Sequence, residues 1–429
     1  MKIAIIGGGF TSLTAGFLLS KKGHQVTIFE KEASLGGLVS SFKQDGWGWP
    51  LERFYHHFFF SNKEVVRLLT ELGIKNKLFF KKPITSVFVN NQIYRFDSLQ
   101  SILAFPKLTL FDKIRTSLVA GLMKINPLWQ PLEKISAYSF IKKTMGQRNF
   151  DLIWKPLLES KFGSYAATVP ASWFWTRIKK RSFKLGYLEG GIETLIAVLS
   201  EQIKKNQGEI FINNWVTDIG RDQDRFEISI DHHKLPEKFD QVIANLPPES
   251  LGKILKDLSQ AEKEKLSNLK SLGAVVLVLE LKKSFLTDGT YWLNINDSSF
   301  PFVAVVEHTN FIDKKYYNDH VILYVGGYYP ITHPFFKMTK EQLLQKFFPY
   351  LRKVNPSYNF ELCTLHFELF KAPYTQPIPS INYSQHSLPS TSTSIPGLYW
   401  ASLHHVYPQD RGINYAIALG KKIAKEIEK

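Results

Sequence analysis

The chain opens on a short β-branched and apolar run, residues 2–6, which reads as a buried strand. Helical spacing follows over 10–22, and 24–30 reads as a second strand. Residues 62–75 have helical periodicity, with Asn62 placed to cap. Residues 92–96 read as a short strand, and 99–185 as mostly helix with aromatic and basic interruptions. A strongly periodic helix is expected at 190–205, then strands at 208–220, 226–230 and 240–248. A helix near 249–267 leads to strands at 273–281, 302–308 and 321–327. Residues 389–397 are a Ser/Thr/Pro loop. A strand at 398–401, a loop and a helix at 412–428 close the chain.

The first strand–turn–helix–strand unit, the strands between 208 and 248 and the last strand–helix pair share the pattern of a nucleotide-binding sheet. The segments between them do not. The expected fold class is therefore α/β with α+β insertions: a discontinuous cofactor domain at 1–60, 186–250 and 390–429, interrupted twice. Residues 61–185 form a helical basic insertion and 251–389 a mixed-sheet substrate domain.

Composition narrows the classes. With 44% hydrophobic and 21% charged residues among 429, the chain is globular rather than disordered. One cysteine, Cys363, excludes an internal disulfide, an iron–sulfur cluster and a cysteine-based zinc site, and fits a reducing compartment. No matched His/Asp cluster points to a metal. No signal peptide is visible and the longest apolar stretches are too short to span a bilayer, so a cytoplasmic protein is expected, with peripheral membrane contact left open. Of the net charge of +16, residues 101–190 carry +10, from 15 Lys/Arg and 5 Asp/Glu. A solvated basic surface, an anionic membrane and a phosphorylated substrate all fit. No nucleic-acid-binding motif is present, so nucleic acid is not expected. Within this region Thr109 to Asp112 read as a helix start. Phe111, Ile114, Leu118, Leu122 and Ile125 then share one face, which either packs on its own domain or forms an interfacial helix beside a substrate entrance.

The candidate chemistry begins after the first strand, at Gly7-Gly8-Gly9-Phe10-Thr11-Ser12 with Gly16 beyond. A dinucleotide loop needs one glycine for the tight turn, a second so that backbone can approach a pyrophosphate, and a third for close helix packing. Gly7 and Gly9 meet the first two needs. Ser12 replaces the third, and Gly16 favours close packing one turn later. The helix N-terminus would face the phosphates. Glu30 ends the second strand 21 residues after Gly9, where a carboxylate meets adenosine ribose hydroxyls and repels a 2′-phosphate. The cofactor domain is thus Rossmann-like.

A second glycine pair, Gly36-Gly37, follows almost at once. This arrangement resembles the flavin amine oxidase superfamily, which includes monoamine and polyamine oxidases, protoporphyrinogen oxidase and phytoene desaturases. In that family the pair lets backbone pass close to the FAD pyrophosphate. Residues 186–203 are similar to its paired glycines opening a helix, and 208–219 to the strand in which the residue matching Val216 holds the adenine. Residues 240–248 resemble its return strand, and 397–424 the strand, loop and helix capping the isoalloxazine and ribityl chain, with Gly412 opening the last helix. The resemblance implies FAD as cofactor. It assigns contacts to Gly7, Gly9, Phe10, Thr11, Ser12, Glu30, Lys31, Gly36, Gly37, Leu38, Val216, Asp410, Arg411, Gly412, Asn414 and Tyr415. The chain departs from the family twice. Leu38 stands where Arg or Lys is usual, and Ser402-Leu403 where Gly-Asp or Gly-Glu is usual, with Asp410 as a partial substitute.

Residues 51–65 sit where the family's chain runs beneath the flavin. Here His56 and His57 follow Tyr55, and a neutral imidazole can exchange a proton near pH 7. Glu307 and His308, with Asn310, end an apolar strand and form a second catalytic candidate. The expected activity is FAD-dependent oxidation of an amine or a lipophilic, porphyrinogen- or polyene-like substrate, the cofactor carrying the redox chemistry. Residues 56–65 also loosely resemble the His-rich loop of UDP-galactopyranose mutases, so a non-redox flavoenzyme acting on a sugar nucleotide or other phosphorylated substrate is the alternative. A partner-binding protein that keeps FAD as structural support is the third.

Overall fold

A computed structural model describes residues 1–255 and 258–429. Residues 256 and 257, inside the helix expected at 249–267, lie outside the described residues; around them stand two helices, Pro248–Ile254 and Gln260–Asn268.

The cofactor domain centres on a five-stranded parallel sheet. Its order is Glu209–Phe211, Gln25–Phe29, Lys2–Ile6, Gln241–Asn245, Leu398–Ala401. Parallel strands are covered on both faces, which is why they read as unbroken apolar runs. The period of two sorts the first strand's side chains. Ile3 and Ile5 face the core shared with the helices Phe10–Lys21, Glu193–Lys205 and Ile413–Ile427. Ala4 and Ile6 face a three-stranded antiparallel sheet, Val216–Asp222, Arg225–Ile230 and His233–Phe239.

The strand expected at 208–220 is two strands in two sheets. Asn213 lies at φ +56, a left-handed conformation that asparagine tolerates, and the chain turns there. The first and last helices meet through small residues: a Cβ on Gly420 would lie 2.5 Å from the Thr11 carbonyl oxygen. This contact ties the C-terminus to the glycine loop, and the Thr11 hydroxyl donates to the Ala416 carbonyl at 3.2 Å.

The second large sheet has seven strands, ordered Thr364–Pro377, Ser271–Leu281, Val321–Tyr329, Ala304–Glu307, Thr290–Ile295, Ile84–Val89, Gln92–Arg95. Its last two strands come from the region read as a helical insertion. Ile84–Val89 pairs in parallel with Thr290–Ile295, a partner some 200 residues away that local periodicity does not reveal. Residues 99–185 are helical in the main and pack on a core of their own around Phe105, Ile141, Trp154 and Phe174.

One helix of that region, Leu110–Ile125, begins with the capping box expected at Thr109 and Asp112. It does not bury its apolar face. Asp112, Thr116 and Met123 are the buried residues, whereas Leu110, Phe111, Leu118 and Ile125 are 71%, 66%, 63% and 74% exposed. The polar side turns inward because partners wait there: Thr116 accepts a hydrogen bond from the Asn149 amide and donates to the Asp112 carbonyl at 2.6 Å. The packed-on-its-own-domain reading is therefore replaced by an exposed apolar face. Among the described residues no helix is long and apolar enough to cross a membrane.

Candidate cofactor and substrate site

The two glycine turns lie against each other. Gly7 has φ +95 and its N–H donates to the Phe29 carbonyl at 2.7 Å. Gly36, at φ +101, donates to the Gly8 carbonyl at 2.9 Å, and Gly37 has φ +58. These positions need glycine for backbone reasons. Gly9 does not: its φ is −76 and its ψ 174, which any residue adopts. What Gly9 supplies is room. A Cβ there would meet only the Asn245 amide nitrogen, at 3.2 Å, and a Cβ on Gly37 only the Gly9 Cα, at 3.6 Å. The open cradle adjoins the start of the helix Phe10–Lys21, which has no side-chain cap and no acidic residue in its first turn. Its first N–H groups keep their capacity for an anion. Asn245 also donates to the Ser12 hydroxyl at 3.0 Å, bracing that turn.

Glu30 is buried at the end of its strand. Its carboxylate accepts from the Gly8 N–H at 2.6 Å and the Glu32 N–H at 2.8 Å. The Asn214 N–H donates to the Glu30 carbonyl at 2.9 Å, and Val216, two residues on, is buried in the same core as Phe29. Lys31 instead points outward to Glu32 at 3.4 Å.

Where Leu38 leaves a cation missing, Arg53 arrives from the next segment. Its Nη2 donates to the Ser34 hydroxyl at 3.4 Å, and its Nε is buried without a partner. A guanidinium with a free buried donor beside Gly36-Gly37 fits a diphosphate. Sequence spacing carries no signal for this residue. The residues present therefore fit the FAD expected: Gly9, the helix start and Arg53 for the pyrophosphate, Glu30 and Val216 for the adenosine half.

At the other end, Gly412, at φ +137, opens the last helix, Ile413–Ile427. Asn414 serves a neighbour: its Oδ1 accepts from the N–H groups of Glu64 and Val65, at 2.9 and 3.3 Å, and so caps the helix Lys63–Glu71. Asn62, expected as that cap, uses its Oδ1 to accept from the Phe59 N–H at 2.8 Å. Asp410 pairs with Lys161 at 2.8 Å, and Arg411 donates to the Thr375 carbonyl at 2.8 Å and to the Tyr328 hydroxyl.

Tyr55, His56 and His57 join this group from a third segment. The Tyr55 and Tyr328 hydroxyls are 3.5 Å apart, and Tyr55 meets the Trp292 ring edge-on at 4.7 Å. His56 Nδ1 donates to the Phe54 carbonyl at 2.7 Å, leaving Nε2 free. His57 Nδ1 lies 3.1 Å from the Tyr291 hydroxyl. Burial, with Arg411 nearby, pushes the His56 pKa down to about 4. Burial with Arg181 and His56 pushes that of His57 down to about 3. Both imidazoles are neutral at pH 7, so they offer hydrogen bonds and no charge. They lie deep in the protein and yet keep accessible surface, as do Tyr55, Tyr415, Asp410 and Arg411. That combination marks the lining of an internal cleft. A cavity beside Asp410 is lined by Trp173, Gln376, His404 and Tyr407, and Trp173 Nε1, Gln376 Oε1 and His404 Nε2 are buried there without partners.

Glu307 and His308 are placed elsewhere. The Glu307 carboxylate accepts from the Ser284 hydroxyl and the Phe285 and Leu286 N–H groups at 2.7, 3.0 and 2.6 Å, so it clamps that loop. His308 is buried against the Tyr317 hydroxyl at 3.0 Å, and burial pushes its pKa down to about 3. The Asn310 amide likewise donates to the Leu286 and Thr290 carbonyls. A second unforeseen residue is Glu52. Wholly buried, it accepts from the Tyr187 hydroxyl at 2.6 Å and the Ile192 N–H at 2.9 Å. Burial raises its pKa to about 7 against those hydrogen bonds.

Comparison with known proteins adds three findings. The family pattern described as flavin containing amine oxidoreductase matches residues 13–427. A Methanocaldococcus jannaschii protein, itself uncharacterized, is 28% identical over 263 residues, 59% of this chain and 60% of that protein; the chain thus spans less than two thirds of this relative's length. Among solved structures, an oxidoreductase from Methanosarcina mazei superposes with a TM-score of 0.75 at 18% identity, covering 99% of this chain and 100% of that one. A reduced UDP-galactopyranose mutase superposes at 0.77 and 14% identity, covering 100% of this chain and 93% of the other.

Proposed function

The chain belongs to the flavin-containing amine oxidoreductase family and its cofactor is FAD; from that premise we propose that it oxidises a lipophilic substrate, porphyrinogen- or polyene-like, drawn from a membrane surface. When bound, the flavin supplies an acceptor for a hydride equivalent. The chain's own residues bind and orient. Tyr55, Trp292 and the neutral His57 offer aromatic and uncharged surface to an apolar substrate. The start of the last helix at Gly412 presents its positive end to developing negative charge.

The observation that carries the reading is the route into the cleft. The exposed apolar face of the helix Leu110–Ile125 ends where the Lys124 ammonium donates to the Arg181 carbonyl at 2.8 Å. Phe183, 60% exposed, follows at once, and the Phe60 N–H bonds the Ser182 hydroxyl at 2.9 Å. Phe59, next to Phe60, packs edge-on against His57 at 5.1 Å. Apolar surface thus runs from the helix to the cleft. A protonated amine fits less well, because Asp410, the carboxylate beside this cleft, is already paired with Lys161.

The test is anaerobic mixing of the flavin-loaded protein with polyenes, porphyrinogens and amines. Bleaching of the flavin's visible absorption is expected with a lipophilic compound and not with a diamine; bleaching by the diamine alone overturns the reading. The mutase alternative draws on the fold likeness and on the basic cleft. It predicts instead that dithionite-reduced protein isomerises a UDP-sugar without net oxidation.

The exposed apolar face, set among the +10 of residues 101–190, fits an anionic bilayer. The protein is expected to pellet with phosphatidylglycerol-containing vesicles at low salt. Leu118→Glu together with Leu122→Glu is expected to weaken that binding by about tenfold or more, at no cost to the fold since both side chains are exposed. Equal pelleting of wild type and variant would remove the membrane from the proposal.

A further inference from the structure

Among the described residues Lys161, Arg177, Arg181 and Arg411 gather around Asp410, with Lys161 buried behind it. Asp410 is taken by Lys161 at 2.8 Å and by Gln376 at 3.3 Å. Arg411 is spent on Thr375 and Tyr328. Arg177 and Arg181 are different. Among the described residues neither guanidinium has a hydrogen bond or an ion pair. Arg177 lies over the Trp173 ring and Arg181 over the Phe59 ring, each 5.6 Å from the centroid. Arg177 stands in the last turn of the helix Ala171–Lys180 and Arg181 is the residue that ends it, so the helix end brings both towards Asp410. Arg177 is part-buried and Arg181 exposed, yet the protein crowded around both lowers their pKa values, so the pair borders the open cleft beside Asp410.

We propose that Arg177 and Arg181 form a receptor for an oxyanion, phosphate or carboxylate, carried by the substrate. The inference rests on the reading of the cleft as the substrate site. Two guanidiniums one turn apart and without partners repel each other, and an anion that accepts their forked N–H donors relieves that repulsion. Lysine or a neutral polar residue would not give two planar forks over aromatic rings. The cofactor's own diphosphate is not the occupant. It has the glycine cradle and Arg53, whereas this pair neighbours Asp410, Tyr328 and Tyr415 near the start of the last helix. With the apolar route at Phe59 and Phe60, the site describes an amphiphile: an apolar body with an acidic group seated on the arginines.

The experiment uses the flavin-loaded protein. Inorganic phosphate, acetate, dodecyl phosphate and dodecanoate are titrated singly while the flavin absorption spectrum and melting temperature are followed. Saturable perturbation is expected with at least one phosphate or carboxylate. Arg177→Met with Arg181→Met is expected to bind it at least about tenfold more weakly while retaining full flavin content. Tighter binding of the dodecyl compounds than of phosphate and acetate assigns the source to a lipid-like substrate; equal binding assigns it to a soluble one. Unchanged anion affinity in the double variant, or no saturable response to any of the four compounds, overturns the proposal. Failure of the redox reading leaves these titrations unaffected, so the two can fail separately.

Discussion

Gly9→Ala is expected to emerge folded and colourless. The backbone at Gly9, φ −76 and ψ 174, accepts alanine without strain. The added methyl meets only the end of the Asn245 side chain, at 3.2 Å. Stability should therefore move by no more than about 1 kcal/mol. The methyl occupies the space through which a pyrophosphate must approach the loop backbone, and FAD affinity should fall by about 100-fold or more. Flavin absorbance per protein after dialysis, with far-ultraviolet circular dichroism as the folding control, measures both. A yellow, stoichiometric Gly9→Ala protein would mean that the cradle is not where the phosphates lie. Gly7→Ala is the contrasting case. There φ is +95 and the Cβ would sit 2.8 Å from the Asn245 carbonyl oxygen, so the fold itself should suffer.

Asp410→Asn should cost the most stability of any isosteric change in the cleft. Burial alone would raise the Asp410 pKa, but Lys161, Arg411 and Arg181 hold it well below the usual carboxylate range. Burial lowers Lys161 to about 7 even with Asp410 beside it. Asparagine keeps the volume and removes the anion that pairs with Lys161. Breaking a buried pair from one side costs on the order of 3–5 kcal/mol, a fall in melting temperature of about 3–6 °C for a chain this large.

The pH dependence has a definite sign. A lysine with a depressed folded pKa is held against its charged form, so stability declines as pH falls from its unfolded pKa to its folded one. In wild type that decline ends near pH 7; without Asp410 the folded pKa drops further and the decline continues below it. The gap between wild type and variant should therefore hold steady from pH 9 to near pH 7 and widen from there to pH 6. It should not vanish at pH 9, because Asp410 still faces Arg411 and Arg181 there. Melting curves across that range that coincide for the two proteins would reject the account.

Much of the cofactor half was legible in residue order. A β-branched run followed by three glycines and an apolar helix has few structural solutions, and the acid at Glu30 falls where the second strand ends. The capping box at Thr109 and Asp112 was equally local. The substrate half was not legible. Glu307 and His308 look alike to His56 and His57 in sequence, polar residues beside an apolar run. Tertiary packing distinguishes them: the loop at Ser284 to Leu286 takes up the Glu307 carboxylate and His308 is buried, whereas His56 and His57 keep accessible surface.

Residue order alone determined the glycine turns at Gly7 and Gly36, the capping box at Thr109 and the apolar runs that become the parallel strands, because each is set by backbone freedom, hydrogen bonding or side-chain pattern within a few residues; the FAD followed from the resemblance those motifs carry. Tertiary structure alone decided the rest. It brought Arg53 to the second glycine turn, turned Asn414 into a helix cap and set Arg177 and Arg181 opposite Asp410. It also left the apolar side of Leu110–Ile125 facing out. Those outcomes depend on which distant segments arrive with unpaired donors and acceptors. Periodicity fixes the phase of a helix face but says nothing about the neighbour it meets.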